Sequence, residues 1–242
     1  MDSRPASPGP AYRRLSVEER REQLIETAHR LFASRPPEEV SLDDVARATG
    51  VSRPLVYRYF PGGKQQLYEA ALGSSARDLE ACFEVPAHGP LTDRLAAVLD
   101  RYLAFVDSHA EGFTALLKGG NVVQTARTTA IVDGVRRAAA RQVLLHLRVS
   151  APGPLLHMTV RTWISTVEAA SLIWLDEQRP HTAAELRDWL VDHFVALLAV
   201  TAGKDPRTAE ALRAAADLEH TGGRVDRLMA SVLSVVSPAV AD

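Results

Sequence analysis

Apolar residues recur along almost the whole chain at intervals of three and four residues, which is the spacing of one buried helix face. In the first such segment Leu24, Ala28 and Leu31 follow this spacing, and Ile25 and Phe32 lie beside them. No segment alternates apolar and polar residues over the length of a strand. The pattern therefore predicts an all-α protein.

Cap and breaker residues predict where these helices begin and end. Ser16 and Glu19 have the spacing of a capping box at the start of the first helix, and Pro36 follows its end. Ser41 and Ser52 are the expected N-caps of the next two helices, which reach to about residues 50 and 60. The later helices are expected at about 64–83, 92–108, 111–118, 124–148, 155–178, 182–201, 206–218 and 222–236.

The composition is that of an ordinary globular protein, since 46% of the 242 residues are apolar and 24% are charged. Cys82 is the single cysteine, which excludes an internal disulfide framework and a thiolate metal cluster. The first ten residues have no apolar segment of a secretory signal, and no apolar run is long enough to span a membrane. We therefore expect a cytoplasmic protein without a membrane partner.

The net charge of −2 conceals a local excess of positive charge. Between Ser52 and Lys64 the chain has three cations and no anion. Two short helices, at 41–50 and 52–60, enclose a tight turn at Gly50 in this region, which is typical of a helix-turn-helix. The side chains that should pack this unit are Val45, Ala46, Val51, Val56 and Phe60.

The outward side of the third helix and its flanks is the candidate DNA-binding surface. A helix in the major groove presents its first residues to base edges and its flanks to phosphates. Arg53 is the expected base reader, able to bond a guanine edge with two hydrogen bonds, and Pro54 and Leu55 can touch thymine methyl groups. Arg58 shares this outward face, and the expected phosphate contacts are Ser41, Tyr57, Tyr59 and Lys64.

Three motifs in this stretch resemble the TetR-type helix-turn-helix: V-A-x-x-x-G-V-S at 45–52, Y-x-Y-F at 57–60, and Lys64-x-x-Leu67. The resemblance is strong over residues 17–75 and only architectural beyond. It implies an N-terminal three-helix DNA-binding domain followed by a helical bundle that binds a ligand and forms a dimer. It also implies transcriptional repression that a small molecule relieves. Thr49 and Pro54 depart from the family's usual Ala and Gly.

We divide the chain accordingly into a disordered arm (1–15), a DNA-binding domain (16–78), a ligand-binding and dimerisation domain (79–203) and a C-terminal helical extension (204–242). The arm is either a tail without a role or a segment whose Arg13 and Arg14 enter a minor groove.

A small, mainly apolar effector is expected to bind among the helices that follow residue 92. The candidate contacts combine aromatic and polar side chains, each of which is alternatively a plain core residue. They are Tyr102, Phe105, His109, Phe113, Leu117, His157, Trp163 and Glu168.

The last two long helices, at 155–178 and 182–201, resemble the family's dimerisation helices. A homodimer is expected because one helix-turn-helix reads only half of a palindromic site in double-stranded DNA. The alternative is one larger monomeric core. The candidate interface residues are Trp174, Leu186, Trp189, Leu190, His193 and Leu197.

The sequence gives little support for a metal site, a cofactor site or a catalytic site. His109, His157 and Glu168 lack the spacing of a metal site within one segment, so neither a metal nor a cofactor is expected. No catalytic motif occurs, and we expect a protein that is not an enzyme. The competing interpretation is a helical small-molecule-binding protein without a DNA function. In the favoured interpretation the effector changes the spacing of two recognition helices through helix 64–83.

Overall fold

The computed structural model describes residues 15–86, 88–118 and 125–236. Across these ranges the chain forms eleven α-helices and one 3-10 turn at Pro37–Glu39, with no strand. The all-α prediction is confirmed. The helices are α1 (Val17–Ser34), α2 (Leu42–Thr49), α3 (Arg53–Tyr59), α4 (Gly63–Cys82), α5 (Leu91–Ser108), α6 (Ala110–Lys118), α7 (Ala126–His146), α8 (Pro154–Asp176), α9 (Ala183–Ala202), α10 (Pro206–Ala216) and α11 (Arg224–Val236). The predicted minor-groove residues Arg13 and Arg14 lie outside the described residues.

Side-chain caps begin several of these helices, as the sequence predicts. The Ser16 hydroxyl accepts from the Glu19 backbone N–H at 3.1 Å, and the Glu19 carboxylate accepts from the Ser16 N–H at 2.7 Å. Ser41 and Asp44 form the same reciprocal pair at the start of α2. Each pair satisfies backbone donors that an uncapped helix leaves without partners.

The predicted side-chain cap at Ser52 is not formed. It occupies the N-cap position of α3, but its hydroxyl makes no capping hydrogen bond. Pro54 has no N–H to offer at the second helical position, and the Leu55 N–H donates to the Ser52 carbonyl oxygen at 3.0 Å. The backbone of Ser52 therefore begins the helix and its side chain is left exposed.

Two hydrophobic clusters form the interior. The first joins α1 to α4 around Leu24, Val56, Phe60 and Leu67, all of which are fully buried. The second joins α5, α7, α8, α9 and α10. Helix α4 belongs to both, because Leu67, Tyr68 and Ala71 lie in the first cluster while Leu79 and Cys82 pack against the second. Helix α4 therefore links the two clusters along the chain.

The extension after residue 203 packs on the second cluster. Helix α10 lies along α9 and buries Ala215 in the core. Glu219 accepts hydrogen bonds from the backbone N–H and hydroxyl of Thr92 at the start of α5. At the start of α11, Arg224 pairs with Asp188 and Asp192 of α9 at 2.7 and 2.8 Å. Helices α10 and α11 are thus anchored to both α5 and α9.

None of the described helices is both long and apolar enough to cross a membrane.

Candidate DNA-binding surface and effector cavities

The turn between α2 and α3 depends on Gly50. Its φ of 71° and ψ of 33° lie in the left-handed region that favours glycine. The next N–H, that of Val51, donates to the Ala46 carbonyl oxygen at 2.9 Å, so the end of α2 is closed by backbone bonds. This turn sets the direction of α3 relative to α2.

The packing of the unit follows the predicted inward positions. Val45, Val56 and Phe60 are buried to 1% exposure or less, Ala46 is buried, and Val51 is half-buried. The guanidinium of Arg21 in α1 covers the Phe60 ring at 5.3 Å from its centroid. The inner face of α3 is therefore occupied, and only its outer face is available to a partner.

The outer face of α3 presents four exposed side chains, Arg53, Pro54, Tyr57 and Arg58. Two other predicted contacts are less open. Leu55 is half-buried, and Tyr59 is half-buried and packs against the first hydrophobic cluster. The described residues of α3 include no acid.

Arg53 is held by α2 in the DNA-free chain. One of its terminal nitrogens lies 2.9 Å from Asp43 Oδ2, and its guanidinium lies 5.7 Å from the centroid of the Tyr57 ring. Interaction with Tyr57 and, next, with Asp43 raises the pKa of Arg53, which stays charged. Both partners of the ion pair are about half exposed, so solvent screens the pair and a phosphate or base can replace it. The sequence analysis did not identify Asp43 as this partner.

Ser41 and Lys64 border the same surface. The Lys64 ammonium donates to the Glu38 carbonyl oxygen at 3.1 Å and so ties α4 to the 3-10 turn before α2. The Ser41 hydroxyl lies 2.6 Å from Asp44 Oδ2 within the cap. The hydrogen bonds from the Ser41 hydroxyl and from the Ser41 backbone N–H lower the pKa of Asp44 to about 2, which keeps the cap intact at neutral pH.

Two mainly apolar cavities lie behind the DNA-binding unit. Cavity A, with an empty volume of about 780 Å³ that includes space open to solvent, lies among α1, α4, α6, α7 and α8. Cavity B, of about 690 Å³ measured in the same way, lies among α4, α5, α7 and α8. They share four lining residues, Leu79, Phe113, Val135 and Glu168. The shared residues form a common wall, which makes the two cavities neighbours.

Seven of the eight predicted effector contacts line these cavities. Phe105, His109 and Leu117 line cavity A; Tyr102 and Trp163 line cavity B; Phe113 and Glu168 line both.

His157 is the exception and is withdrawn as an effector contact. It is exposed on α8 and lines neither cavity. The buried stripe of α8 runs through Leu156, Val160 and Trp163, which leaves His157 outside it.

An ion pair lies at the wall between the cavities. Arg136 of α7 donates to both carboxylate oxygens of Glu168 in α8, with a shortest distance of 2.8 Å, and its remaining terminal nitrogen lies 3.2 Å from Asp133. The hydrogen bond to Glu168 is the main cause of the raised pKa of Arg136. The charge of Glu168 is therefore already neutralised inside the protein.

Several lining residues were not predicted, and two of them come from α1, which the sequence analysis did not place at the pocket. His29 and Phe32 of α1 line cavity A, and Gln142 and His146 of α7 line cavity B. The only sequence signal for His29 is its position next to Ala28 on a buried helix face. Cavity A is thus bounded by both halves of the molecule.

The two halves also meet through close contacts between α1 and α6. His29 Nε2 lies 3.2 Å from His109 Nε2, and the two rings are stacked. A Cβ added at Gly112 would lie 2.6 Å from the Phe32 carbonyl oxygen, so the glycine allows the helices to approach this closely. Helix α6 therefore both contacts the DNA-binding half and lines cavity A.

Two of the six predicted dimer contacts are buried within the protomer, which is a correction. Leu190 is fully buried, and its carbonyl oxygen accepts from Trp163 Nε1 at 3.0 Å. Trp174 is 6% exposed and donates to the His181 carbonyl oxygen at 2.7 Å. Both side chains pack within one protomer because they lie on the faces of α8 and α9 that contact the core.

The remaining predicted dimer contacts are more open. Trp189 is 54% exposed and stacks on the His193 ring, while Leu186, His193 and Leu197 are half-buried. Eight exposed side chains without a charge recur at helical spacing on α8 and α9, and we call this set the α8–α9 face. Its members are Met158, Thr162, Ser165, Ala169, Ile173, Trp189, Ala196 and Val200.

No group of three or more His, Cys, Asp or Glu residues that could hold a metal ion occurs in the ranges that the structure describes.

Comparison with known proteins agrees with this architecture. Residues 24–71 match the family model of bacterial regulatory proteins of the tetR family, and residues 91–197 match the model of the tetracyclin repressor-like C-terminal domain. A TetR-family transcriptional regulator from Streptomyces coelicolor has a crystal structure with a TM-score of 0.87 and 47% sequence identity. The match covers 91% of this chain and 99% of that one.

Curated relatives match over shorter lengths. The transcriptional activator FasR of Mycolicibacterium smegmatis is 29% identical over 126 residues, which are 51% of this chain and 57% of the relative. The transcriptional regulator EthR of Mycobacterium tuberculosis is 33% identical over 82 residues, which are 34% of this chain and 38% of the relative. These relatives are transcription regulators and not enzymes. The matched domains and the close structural relative together place the chain in its family: it belongs to the TetR family of helix-turn-helix transcription regulators.

Proposed function

We propose that this regulator binds a palindromic operator as a homodimer through α3 and that a small, mainly apolar effector releases it, so that it acts as a repressor in the cytoplasm. The observation that carries the proposal is the outer face of α3, where Arg53, Tyr57 and Arg58 are exposed and no acid intervenes. A positive, aromatic face on a short, rigidly packed helix is suited to the major groove.

Within this surface we assign Arg53 to a base edge, Pro54 and Leu55 to apolar base contacts, and Tyr57, Arg58, Lys64 and Ser41 to phosphates. Arg53 exchanges its exposed ion pair with Asp43 for a guanine, and Lys64 exchanges a backbone oxygen for a phosphate. Tyr59, which is half-buried, is assigned to a phosphate as well.

The α8–α9 face supports the homodimer. It joins two neighbouring helices and leaves Met158, Ile173, Trp189 and Val200 each more than half exposed in one protomer. Large apolar side chains grouped in this way mark an interaction surface, and a second copy of the same face is its natural partner in a two-fold dimer. The dimer places two copies of α3 against one palindrome.

Cavity A supports the release step because its walls belong to both halves of the chain. A ligand there touches α1 and α4 of the DNA-binding half and α6 of the effector half. Release requires the ligand to favour one arrangement of the two α3 helices, and a shift from 1:99 to 99:1 needs about 5.5 kcal/mol of differential binding. A ligand that contacts both halves can bind one of their arrangements more tightly than the other, which supplies this differential binding.

The proposal is tested by selecting bound DNA from a random pool and measuring operator affinity for Arg53→Ala and Lys64→Ala. We expect Arg53→Ala to lose about 1–3 kcal/mol and its discrimination at one base position, and Lys64→Ala to weaken binding to all sequences alike. Arg30→Ala, an exposed α1 residue outside the surface, is the matched control. Wild-type affinity for both variants on the selected operator would contradict the proposal, and transcription with and without operator in vitro separates repression from activation.

A further inference from the structure

Two residues that line cavity B, Tyr102 and His146, each have a buried polar atom, Oη and Nε2, that makes no hydrogen bond to any residue the structure describes. Tyr102 is 6% exposed and His146 is 2% exposed. Ser171 of α8 lowers the pKa of the Tyr102 hydroxyl, against the larger effect of burial, and donates its own hydrogen to the Val167 carbonyl oxygen at 2.8 Å. An unpaired buried polar atom destabilises a fold, so two such atoms on residues of one cavity require an explanation.

The partner of His146 determines which of its ring nitrogens carries the proton. A terminal nitrogen of Arg94 lies 3.2 Å from His146 Nδ1 and 3.0 Å from the His146 carbonyl oxygen. A guanidinium can only donate, so Nδ1 must accept, and the proton of the neutral ring is on Nε2. Burial, and next the Arg94 charge, lower the pKa of His146, which keeps the ring neutral. His146 thus offers cavity B an N–H donor.

Tyr102 offers a second uncharged donor. Burial is the main cause of the raised pKa of its hydroxyl, which therefore keeps its proton at any physiological pH. The charged side chains among the described lining residues, Arg136 and Glu168, neutralise each other, and Gln142 is half-buried. The cavity therefore lacks both a free cation for a carboxylate and a free anion for an amine.

We infer that cavity B binds the carbonyl-bearing end of an uncharged, mainly apolar effector, such as a ketone, ester or amide, with His146 Nε2–H and Tyr102 O–H as donors to its oxygen atoms. The apolar remainder of the molecule extends past the shared wall at Phe113 and Val135 into cavity A. This assignment rests on the proposed function, since it names the class of effector that the two cavities take. A carbonyl oxygen accepts a hydrogen bond from a buried donor without adding charge.

Direct binding to the DNA-free protein tests the assignment with three ten-carbon probes: 2-decanone, decanoate and decylamine. We expect 2-decanone to bind at least about tenfold more tightly than either charged probe, measured by isothermal titration calorimetry. Tyr102→Phe should weaken 2-decanone binding about 3- to 10-fold, since it removes one hydrogen bond and little volume. His146→Asn should weaken it by a similar factor, because Asn keeps an acceptor for Arg94 and removes the Nε2 donor. His157→Asn, which makes the same change at an exposed histidine that lines neither cavity, is the matched control.

Tighter binding of decanoate or decylamine, or wild-type affinity for 2-decanone in both cavity B variants, would overturn the inference. Thermal unfolding of the variants without probe shows that each remains folded during the comparison. Operator release is measured separately with the same compounds. If 2-decanone binds through the two donors and does not release DNA, the release step of the proposed function fails while the assignment of cavity B stands.

Discussion

Gly50 illustrates how one residue directs the helix-turn-helix. A Cβ at this position would meet no atom within 4 Å, so space is not the constraint; the positive φ is. The left-handed conformation costs a non-glycine residue about 1–2 kcal/mol, and Asn tolerates it better than Ala.

We therefore predict that Gly50→Ala lowers the free energy of unfolding by about 1–2 kcal/mol and that Gly50→Asn costs less than half of that. Urea denaturation at a fixed protein concentration measures both. Equal losses for the two variants would show that the backbone conformation is not the cause.

His29 is a second residue whose environment has a measurable consequence. Burial and then the neighbouring His109 lower its pKa, against the weaker opposing effects of Asp78 and Glu26. The unfolded chain, with an ordinary His pKa near 6.5, therefore binds a proton before the folded chain does. The stabilising effect of the neutral ring is complete above pH 6.5 and is lost as the pH falls below it.

The free energy of unfolding should accordingly decrease between pH 7.5 and 5.5, and less steeply in His29→Gln. Gln keeps a polar group near His109 and does not titrate. Because burial also lowers the pKa of His146, a residual slope is expected in the variant. An unchanged slope in His29→Gln, measured by denaturation at each pH, would rule out His29 as a contributor.

At the scale of elements, the contact between α1 and α6 joins the DNA-binding half to the effector half. The close approach at Gly112 is backed by the His29–His109 pair and by Leu116, which packs on the first hydrophobic cluster. A side chain at Gly112 must push the two helices apart, since the atom it meets is a backbone oxygen.

We predict that Gly112→Ala lowers the free energy of unfolding by about 1–3 kcal/mol, as overpacking does, and weakens the link between effector binding and operator release. Gly134→Ala is the control, because Gly134 lies within α7 with nothing within 4 Å and should gain about 0.5–1 kcal/mol. Denaturation of both variants measures the first effect, and effector titration of the operator complex measures the second. A gain in stability for Gly112→Ala would contradict the close contact.

Helix assignments show which elements local sequence predicts well. The predicted helix at 155–178 and the observed α8 differ by no more than two residues at either end, since Pro154 and the polar residues after Asp176 act over one turn. The rotation of the same helix was not predictable. A helix that is apolar nearly all round has no single inward side in its sequence, so Trp174 was assigned to an interface, whereas the fold buries it within the protomer.

For the whole molecule the central expectation is two-fold association through the α8–α9 face. Ala196 lies at the centre of its α9 half and is exposed in one protomer. An arginine there would bring two like charges and their hydration into an apolar contact, which disfavours the dimer.

Ala196→Arg should therefore sediment as a monomer at concentrations where the wild type is dimeric, and it should bind a full palindrome no more tightly than a half-site. Ala104→Arg, on the exposed side of α5, is the matched control and should remain dimeric. A dimeric Ala196→Arg with full operator affinity would place the interface elsewhere.

The sequence alone determined the features that depend on neighbours within a few residues. Helical periodicity, the Ser16 and Ser41 capping boxes, the left-handed turn at Gly50 and the buried positions Val45, Val56 and Phe60 are of this kind. Each depends on interactions over three to ten positions, where the chain offers few alternatives.

Only the tertiary structure decided which distant side chains meet. His29 and His109 are 80 residues apart, Arg94 and His146 are 52 apart, and Arg136 and Glu168 are 32 apart. These contacts depend on the rotation and crossing of packed helices, and many arrangements share one apolar pattern. The DNA-binding surface was therefore visible in a continuous stretch of sequence, whereas the donors in cavity B became visible only when α5 and α7 were packed together.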